Sequence, residues 1–223
     1  MTQSPGAGVI LANAKAGTLL AGSNQAKMLD AVRTPYNLED MPMRYREDRT
    51  TQAAAYLLQL RGGTMSYMKL IKLLYLADRK ALADLGRPIT FDSYVAMARG
   101  PVLSCTLDRI TGDPNPTSPT YWRRYISAPT PGYEVRLDRL PEPADLSAAD
   151  QAILDSVFAE FGHLSRWDVV AHTHTLPEWR DPGTSCAPIQ LREILIVLGF
   201  NEEEVHAIIG DLEAESLADA TLA

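Results

Sequence analysis

The chain has 223 residues, 46% of them hydrophobic, which is enough for one sizeable core. Its formal net charge of -7 argues against a protein that holds nucleic acid by bulk positive charge, so a nucleic-acid partner is not favoured. Cys105 and Cys186 are far apart and form no CxxC motif, which predicts a protein of the reducing cytoplasm without a structural zinc site. No apolar run approaches the length of a membrane span, so we expect no membrane partner.

Residues 1–45 are rich in Ala, Gly, Pro, Ser and Asn and contain only short apolar islands. Such a segment cannot support a core alone, so we interpret it as an N-terminal extension and residues 46–223 as one domain with a C-terminal helical extension. The domain begins with a predicted helix over 47–61 that ends at Gly62 and Gly63. The short link that follows predicts an antiparallel helical hairpin with the next helix.

That next helix, 65–85, is apolar around most of its circumference, which predicts a central helix packed on two or more faces. Gly86 is the expected left-handed stop. Asp78 lies within the apolar arc, and a buried carboxylate needs donors. We favour a structural role in which an Arg, a Trp or backbone N–H groups hold Asp78, over the alternative of a catalytic acid.

The remaining elements follow from turn and periodicity signals. Residues 89–98 predict a short strand or an extended loop, and a helix is expected over 101–110 because proline suits a first helical turn. A loop is expected over 112–119, and segments 121–128 and 132–137 predict a β-hairpin. Ser147 and Ser165 are expected to cap two helices, and a last helix or pair, over 188–217, is expected to break at 199–201. The predicted fold is therefore mainly α-helical, with a small β-hairpin or sheet.

Two groups of basic residues are candidates for binding a partner. Lys69, Lys72, Arg79 and Lys80 form a polar stripe on the central helix, and Arg123 and Arg124 lie on the predicted hairpin. The first group is either a solvated face or a docking patch for an acidic partner. The second group, beside an aromatic pair, could stack on a nucleic-acid base, although a two-faced strand is the commoner reading.

No known catalytic constellation is evident from the sequence, and no cofactor or metal is expected. His172 and His174 form an HxH pair that could join Asp78 in a metal-dependent hydrolase, but no further ligand motif accompanies it, so a structural role is favoured. Cys105 could be a nucleophile, although a buried thiol is the simpler interpretation. On physical grounds, a binding protein is the best class.

Three segments resemble the Panacea domain, also called the SocA-like antitoxin domain. They are KLIKLLYLAD at 69–78, GRP at 86–88 and RGPV at 99–102, and His174, Pro177 and Trp179 resemble the H…P-x-W segment of that family. The resemblance extends over about 51–200. It implies that Asp78, Arg99, Gly100, Pro101, His174 and Trp179 are structural motif residues.

The resemblance also implies a mainly helical fold and a non-enzymatic role. Domains of this family are antitoxins that neutralise a cognate protein toxin by direct binding, and in at least one branch they act as an adaptor that presents the toxin to a protease. The implied partners are therefore a protein toxin and a cytoplasmic protease system. Because the shared residues look structural, the choice of toxin would fall to the variable surface.

Overall fold

The computed structural model describes residues 43–112, 120–142 and 146–222, and within them the chain is mainly α-helical, as predicted. The seven helices of these ranges are α1 (Glu47–Leu60), α2 (Tyr67–Leu85), α3 (Ser104–Thr111), α4 (Ala148–Phe161), α5 (Arg166–Thr173), α6 (Leu191–Val197) and α7 (Glu202–Leu222). The five strands there are β1 (Thr64–Ser66), β2 (Tyr94–Met97), β3 (Gly100–Leu103), β4 (Glu134–Arg136) and β5 (Ala187–Ile189). The predicted extension, up to residue 42, and the predicted loop from 113 onwards lie outside the described residues.

Helix α2 lies at the centre of the core, which confirms the predicted central helix. Twelve of its nineteen residues are buried, and it contacts five other helices and a strand of each sheet. Leu74 and Ala81, which lie two turns apart on the same apolar side of the helix, are both completely buried. The helix ends at Gly86 in the left-handed conformation, with φ 67°, so the predicted stop is also confirmed.

A three-stranded antiparallel sheet, in the order β3-β2-β5, covers one side of α2. The sequence predicts a helix that starts at Pro101, and this prediction is wrong: Pro101 lies in β3 opposite Ala96, and α3 starts at Ser104. Proline is tolerated because β3 is an edge strand. The helix starts later because the Asp92 carboxylate accepts hydrogen bonds from the backbone N–H groups of Cys105 and Thr106.

The second sheet pairs β1 with β4, with Met65 opposite Val135. The predicted hairpin of 121–128 with 132–137 is wrong. Residues Trp122–Arg124 form a 3₁₀-helix, and the two segments share one bridge, between Ile126 and Leu137, in the described part of the chain. The reason is that the indole of Trp122 is completely buried, which fixes a turn where the hairpin needs a strand.

The C-terminal half follows the predicted helix signals closely. Ser147 and Ser165 each form a capping box with the Asp three residues on, and Asn201 accepts hydrogen bonds at the start of α7. The predicted start at 188 is wrong, because residues Ala187–Ile189 form β5. Among the described helices, none combines the length and apolar character that a membrane span requires.

Candidate functional site

Two lysines of the predicted polar stripe lie inside the protein. Lys69, 4% exposed, donates hydrogen bonds to the carbonyl oxygens of Gly162 and Leu164 at 2.7 and 2.6 Å. Lys72, 1% exposed, donates to the carbonyl oxygen of Pro101, and burial lowers the pKa of both amines, that of Lys72 well below its usual value. The interpretation of a solvated face is therefore wrong for these two residues, because both amines serve buried backbone carbonyls.

The other two cations of the stripe lie nearer the surface. Arg79 donates a hydrogen bond to the buried Glu178 carboxylate at 2.8 Å, and the Tyr75 hydroxyl donates to the same oxygen at 3.0 Å. Lys80 forms an exposed ion pair with Asp84 one turn along the helix. Arg79 therefore ties the segment before β5 to α2, while Lys80 lies on the outer face.

The second candidate pair is also divided between interior and surface. The Arg123 guanidinium donates hydrogen bonds to the carbonyl oxygens of Ser127 and Ile110, at 2.9 and 2.8 Å, and so holds the turn around the 3₁₀-helix. Arg124 is exposed. A docking role for these residues stays a prediction.

Asp78 is completely buried and accepts hydrogen bonds from the loop that follows α2. Its Oδ1 accepts the N–H groups of Ile89 and Thr90 at 2.9 and 3.0 Å, and its Oδ2 accepts the hydroxyl groups of Thr90 and Tyr94. Burial raises the pKa of Asp78 to about 7, although these hydrogen bonds act in the opposite direction. The prediction that backbone N–H groups hold this carboxylate is confirmed.

Gly100 is the point at which three parts of the motif meet. It has φ 90°, a conformation that favours glycine. A Cβ atom here would lie 2.6 Å from Thr173 Oγ1, 3.0 Å from Lys72 Nζ and 3.2 Å from His174 Cδ2. Only a residue without a side chain therefore lets the turn between β2 and β3 approach both α2 and the end of α5.

His174 and Trp179 form one side of this junction. Their rings stack at 4.1 Å with an interplanar angle of 2°, and Trp179 Nε1 donates a hydrogen bond to the Met97 carbonyl oxygen at 3.1 Å. Burial, with the nearby Lys72 charge, lowers the pKa of His174 below its usual value. The stacked pair thus fastens the segment after α5 to β2.

The residues suggested for metal or nucleophilic chemistry lie in other environments. His172 packs against the ring of Phe161, with ring centroids 4.6 Å apart. In the ranges that the structure describes, no group of three His, Cys, Asp or Glu side chains is arranged to hold a metal ion, so Asp78, His172 and His174 do not form one. Burial, together with Asp92, raises the pKa of the Cys105 thiol to about 12.

Arg99, unlike the other motif residues, points to the surface, where two arginines flank an exposed tryptophan. Its guanidinium lies 5.8 Å from the Trp167 ring centroid, and that of Arg166 lies 5.2 Å from it. Trp167 is 52% exposed. Tyr67 lies close enough for the Arg99 charge to act on its hydroxyl, and its ring centroid is 6.1 Å from that of Tyr133. We name these five residues the Arg–aromatic patch.

A comparison with known protein families finds one match to this chain. Residues 70–180 match the family described as antitoxin SocA-like, Panacea domain. This part of the chain belongs to the Panacea domain family. The match supports a toxin–antitoxin role in general terms. No curated protein and no solved structure matched the chain.

The Panacea domain also uses three carboxylates whose long-range roles the sequence does not indicate. They are Asp92, which caps α3; Glu178, which joins α2 to the segment before β5; and Asp150, which is bound by two arginines. Asp150 forms ion pairs with Arg49 and Arg87, both at 3.0 Å. Burial acts to raise the pKa of Asp150, but hydrogen bonds from Ser147 and Arg87 lower it below its usual value. The capping box reveals Asp150 in the sequence, but nothing there indicates its arginine partners.

Proposed function

We propose that the protein is an antitoxin that neutralises a cognate protein toxin by direct binding. The match of residues 70–180 to the Panacea domain family carries this proposal. The positions of the motif residues support it, since Lys69, Gly100 and Trp179 all join elements of the fold to one another. Partner choice then falls to side chains on the outside of the domain.

Co-expression with each neighbouring gene tests the proposal. We expect one neighbouring gene to arrest growth alone, the full chain to restore growth, and the two proteins to purify together in a fixed ratio. The Gly100→Ala variant, expected to weaken the fold, should restore growth less well. Failure of rescue and of co-purification with every neighbour would contradict the proposal.

An adaptor role, in which the antitoxin delivers the toxin to a protease, is the narrower form of the same function. It predicts that the toxin disappears after the antitoxin is induced, and that rescue is lost in a host without its ATP-dependent proteases. Direct neutralisation predicts a constant toxin level and unchanged rescue in that host. An immunoblot of tagged toxin over time separates the two forms.

A further inference from the structure

Trp167 at the start of α5 leaves about half of a large apolar ring in water. It is 52% exposed, and Tyr133 of the same patch is 49% exposed. Trp, Tyr and Arg are the residue types that contribute most to protein–protein interfaces, because their large side chains are covered on binding and still carry polar groups. The Arg–aromatic patch consists of these three types alone.

The two arginines of the patch differ from those that stabilise the fold. Arg49, Arg79 and Arg87 form ion pairs with buried carboxylates. Among the ion pairs of the described residues, none involves Arg99 or Arg166, whose guanidiniums lie over the Trp167 ring. Two such cations beside one indole are complementary to a carboxylate that follows an apolar side chain.

The backbone at Tyr133 gives an independent indication. Tyr133 has φ 65°, a conformation that costs a bulky residue about 1–2 kcal/mol. The Tyr67 N–H group donates a hydrogen bond to the Tyr133 carbonyl oxygen at 2.9 Å and so holds this conformation in place. Tyr133 is half exposed, so an aromatic residue with a strained backbone lies at the surface beside Tyr67.

We propose that the Arg–aromatic patch binds an acidic segment of the protein partner, with carboxylates on Arg99 and Arg166 and an apolar side chain between Trp167 and Tyr67. The inference rests on the proposed function, since it assigns the surface on which the toxin binds. A protein segment fits better than nucleic acid. Two guanidiniums suffice for one or two carboxylates, whereas nucleic-acid affinity grows with the number of neutralised phosphates, and the chain carries net charge -7.

A binding titration with defined probes tests the patch separately from the toxin assay. The probes are a fluorescent twelve-residue peptide of alternating Glu and Leu or Phe, the same peptide with Lys for Glu, and a labelled single-stranded oligonucleotide. Full-length wild type is compared with Trp167→Ala and with the double variant Arg99→Gln, Arg166→Gln. Leu217→Ala, at a 71% exposed apolar residue outside the patch, and Arg61→Gln, at an exposed arginine outside it, are matched controls. Thermal unfolding confirms that every variant is folded.

We expect the acidic peptide to bind wild type, and both patch variants to weaken it about tenfold, while the two controls stay within about twofold. The lysine peptide should not bind. An acidic peptide that does not bind wild type, or that binds all variants equally, would overturn the assignment of the patch. Tighter binding of the oligonucleotide that depends on Trp167 would make the patch a nucleic-acid surface instead, and would also overturn it.

The growth assay then separates failure of the patch from failure of the function. If wild type rescues growth from a neighbouring toxin, Trp167→Ala should lose rescue and co-purification while Leu217→Ala keeps both. Normal rescue by Trp167→Ala would leave the antitoxin function intact and move the toxin to another surface. Absence of rescue by wild type would count against the function, while the peptide titration still decides whether the patch binds acidic segments.

Discussion

At the residue scale, Gly100 leaves no room for a side chain, because Lys72, Thr173 and His174 converge on its Cα. Gly100→Ala should lower the free energy of unfolding by at least about 3 kcal/mol, because the new Cβ would lie 2.6 Å from Thr173 Oγ1 in a strained backbone. Gly63→Ala is the control, since Gly63 has φ 92° but no atom within 4 Å of such a Cβ. It should cost about 1 kcal/mol. Equal losses in urea titrations would contradict the steric argument.

The buried Asp78 carboxyl group should make the free energy of unfolding depend on pH. Comparison with the Asp78→Asn variant isolates this contribution. The folded pKa of about 7 lies above the ordinary aspartate pKa of 3.8, so the folded state binds the proton more tightly than the unfolded state. The stabilisation is therefore fully present below pH 3.8 and is lost as pH rises through about 7. Between pH 4 and 8, wild type should lose up to about 4 kcal/mol relative to the variant. A constant difference in denaturant titrations would show that Asp78 titrates normally.

The sequence predicts the burial of a single residue better than it predicts which distant residue will bind it. The burial of Asp78 follows from its place in an apolar helical arc, and its donors follow closely in the chain, at Ile89 and Thr90. Glu178 and Asp150 instead take partners 99 and 101 residues away, at Arg79 and Arg49. No local pattern encodes such a separation, so the pairing becomes visible only once the helices have packed.

At the scale of elements, the sequence predicts helices better than strands, because the signals for helices are local and those for strand pairing are not. Amphipathic periodicity and capping residues act within a few positions, and they predict α1, α2, α4 and the α6–α7 break correctly. The strands are three or four residues long, and their partners are set by tertiary packing. Local propensity therefore predicts the wrong element for segments 101–103 and 122–124, where the Asp92 cap and the buried Trp122 decide the structure.

Lys69 of α2 joins this helix to the chain at the end of α4. Lys69→Met should lower the free energy of unfolding by about 2 kcal/mol, because the carbonyls of Gly162 and Leu164 lose a buried donor. Lys80→Met, on the same helix, removes only an exposed ion pair and should cost at most about 0.5 kcal/mol. Urea titrations of both variants compare the two sites. A loss at Lys69 as small as that at Lys80 would mean that water replaces the ammonium group.

At the scale of the whole molecule, the residues that join the elements of the fold and the residues of the proposed Arg–aromatic patch lie in different places. Lys72, Asp78, Gly100 and the stacked His174–Trp179 pair join α2 to the three-stranded sheet and to the segment after α5. The same turn that requires Gly100 also positions Arg99 over Trp167 at the surface. One junction therefore supports the fold and also places an arginine of the proposed Arg–aromatic patch.

The residue at which the folded domain begins can be tested by truncation. The sequence places the boundary between residues 45 and 46, yet Met43 is 5% exposed in the core and the Arg46 N–H group donates a hydrogen bond to the Thr90 carbonyl oxygen. A chain of residues 43–223 should therefore be more stable than one of residues 46–223, by about 2 kcal/mol for the buried Met43 side chain. Thermal and urea unfolding of the two chains measure the difference. Equal stability of the two chains would show that the domain begins after Met43, in agreement with the boundary predicted from the sequence.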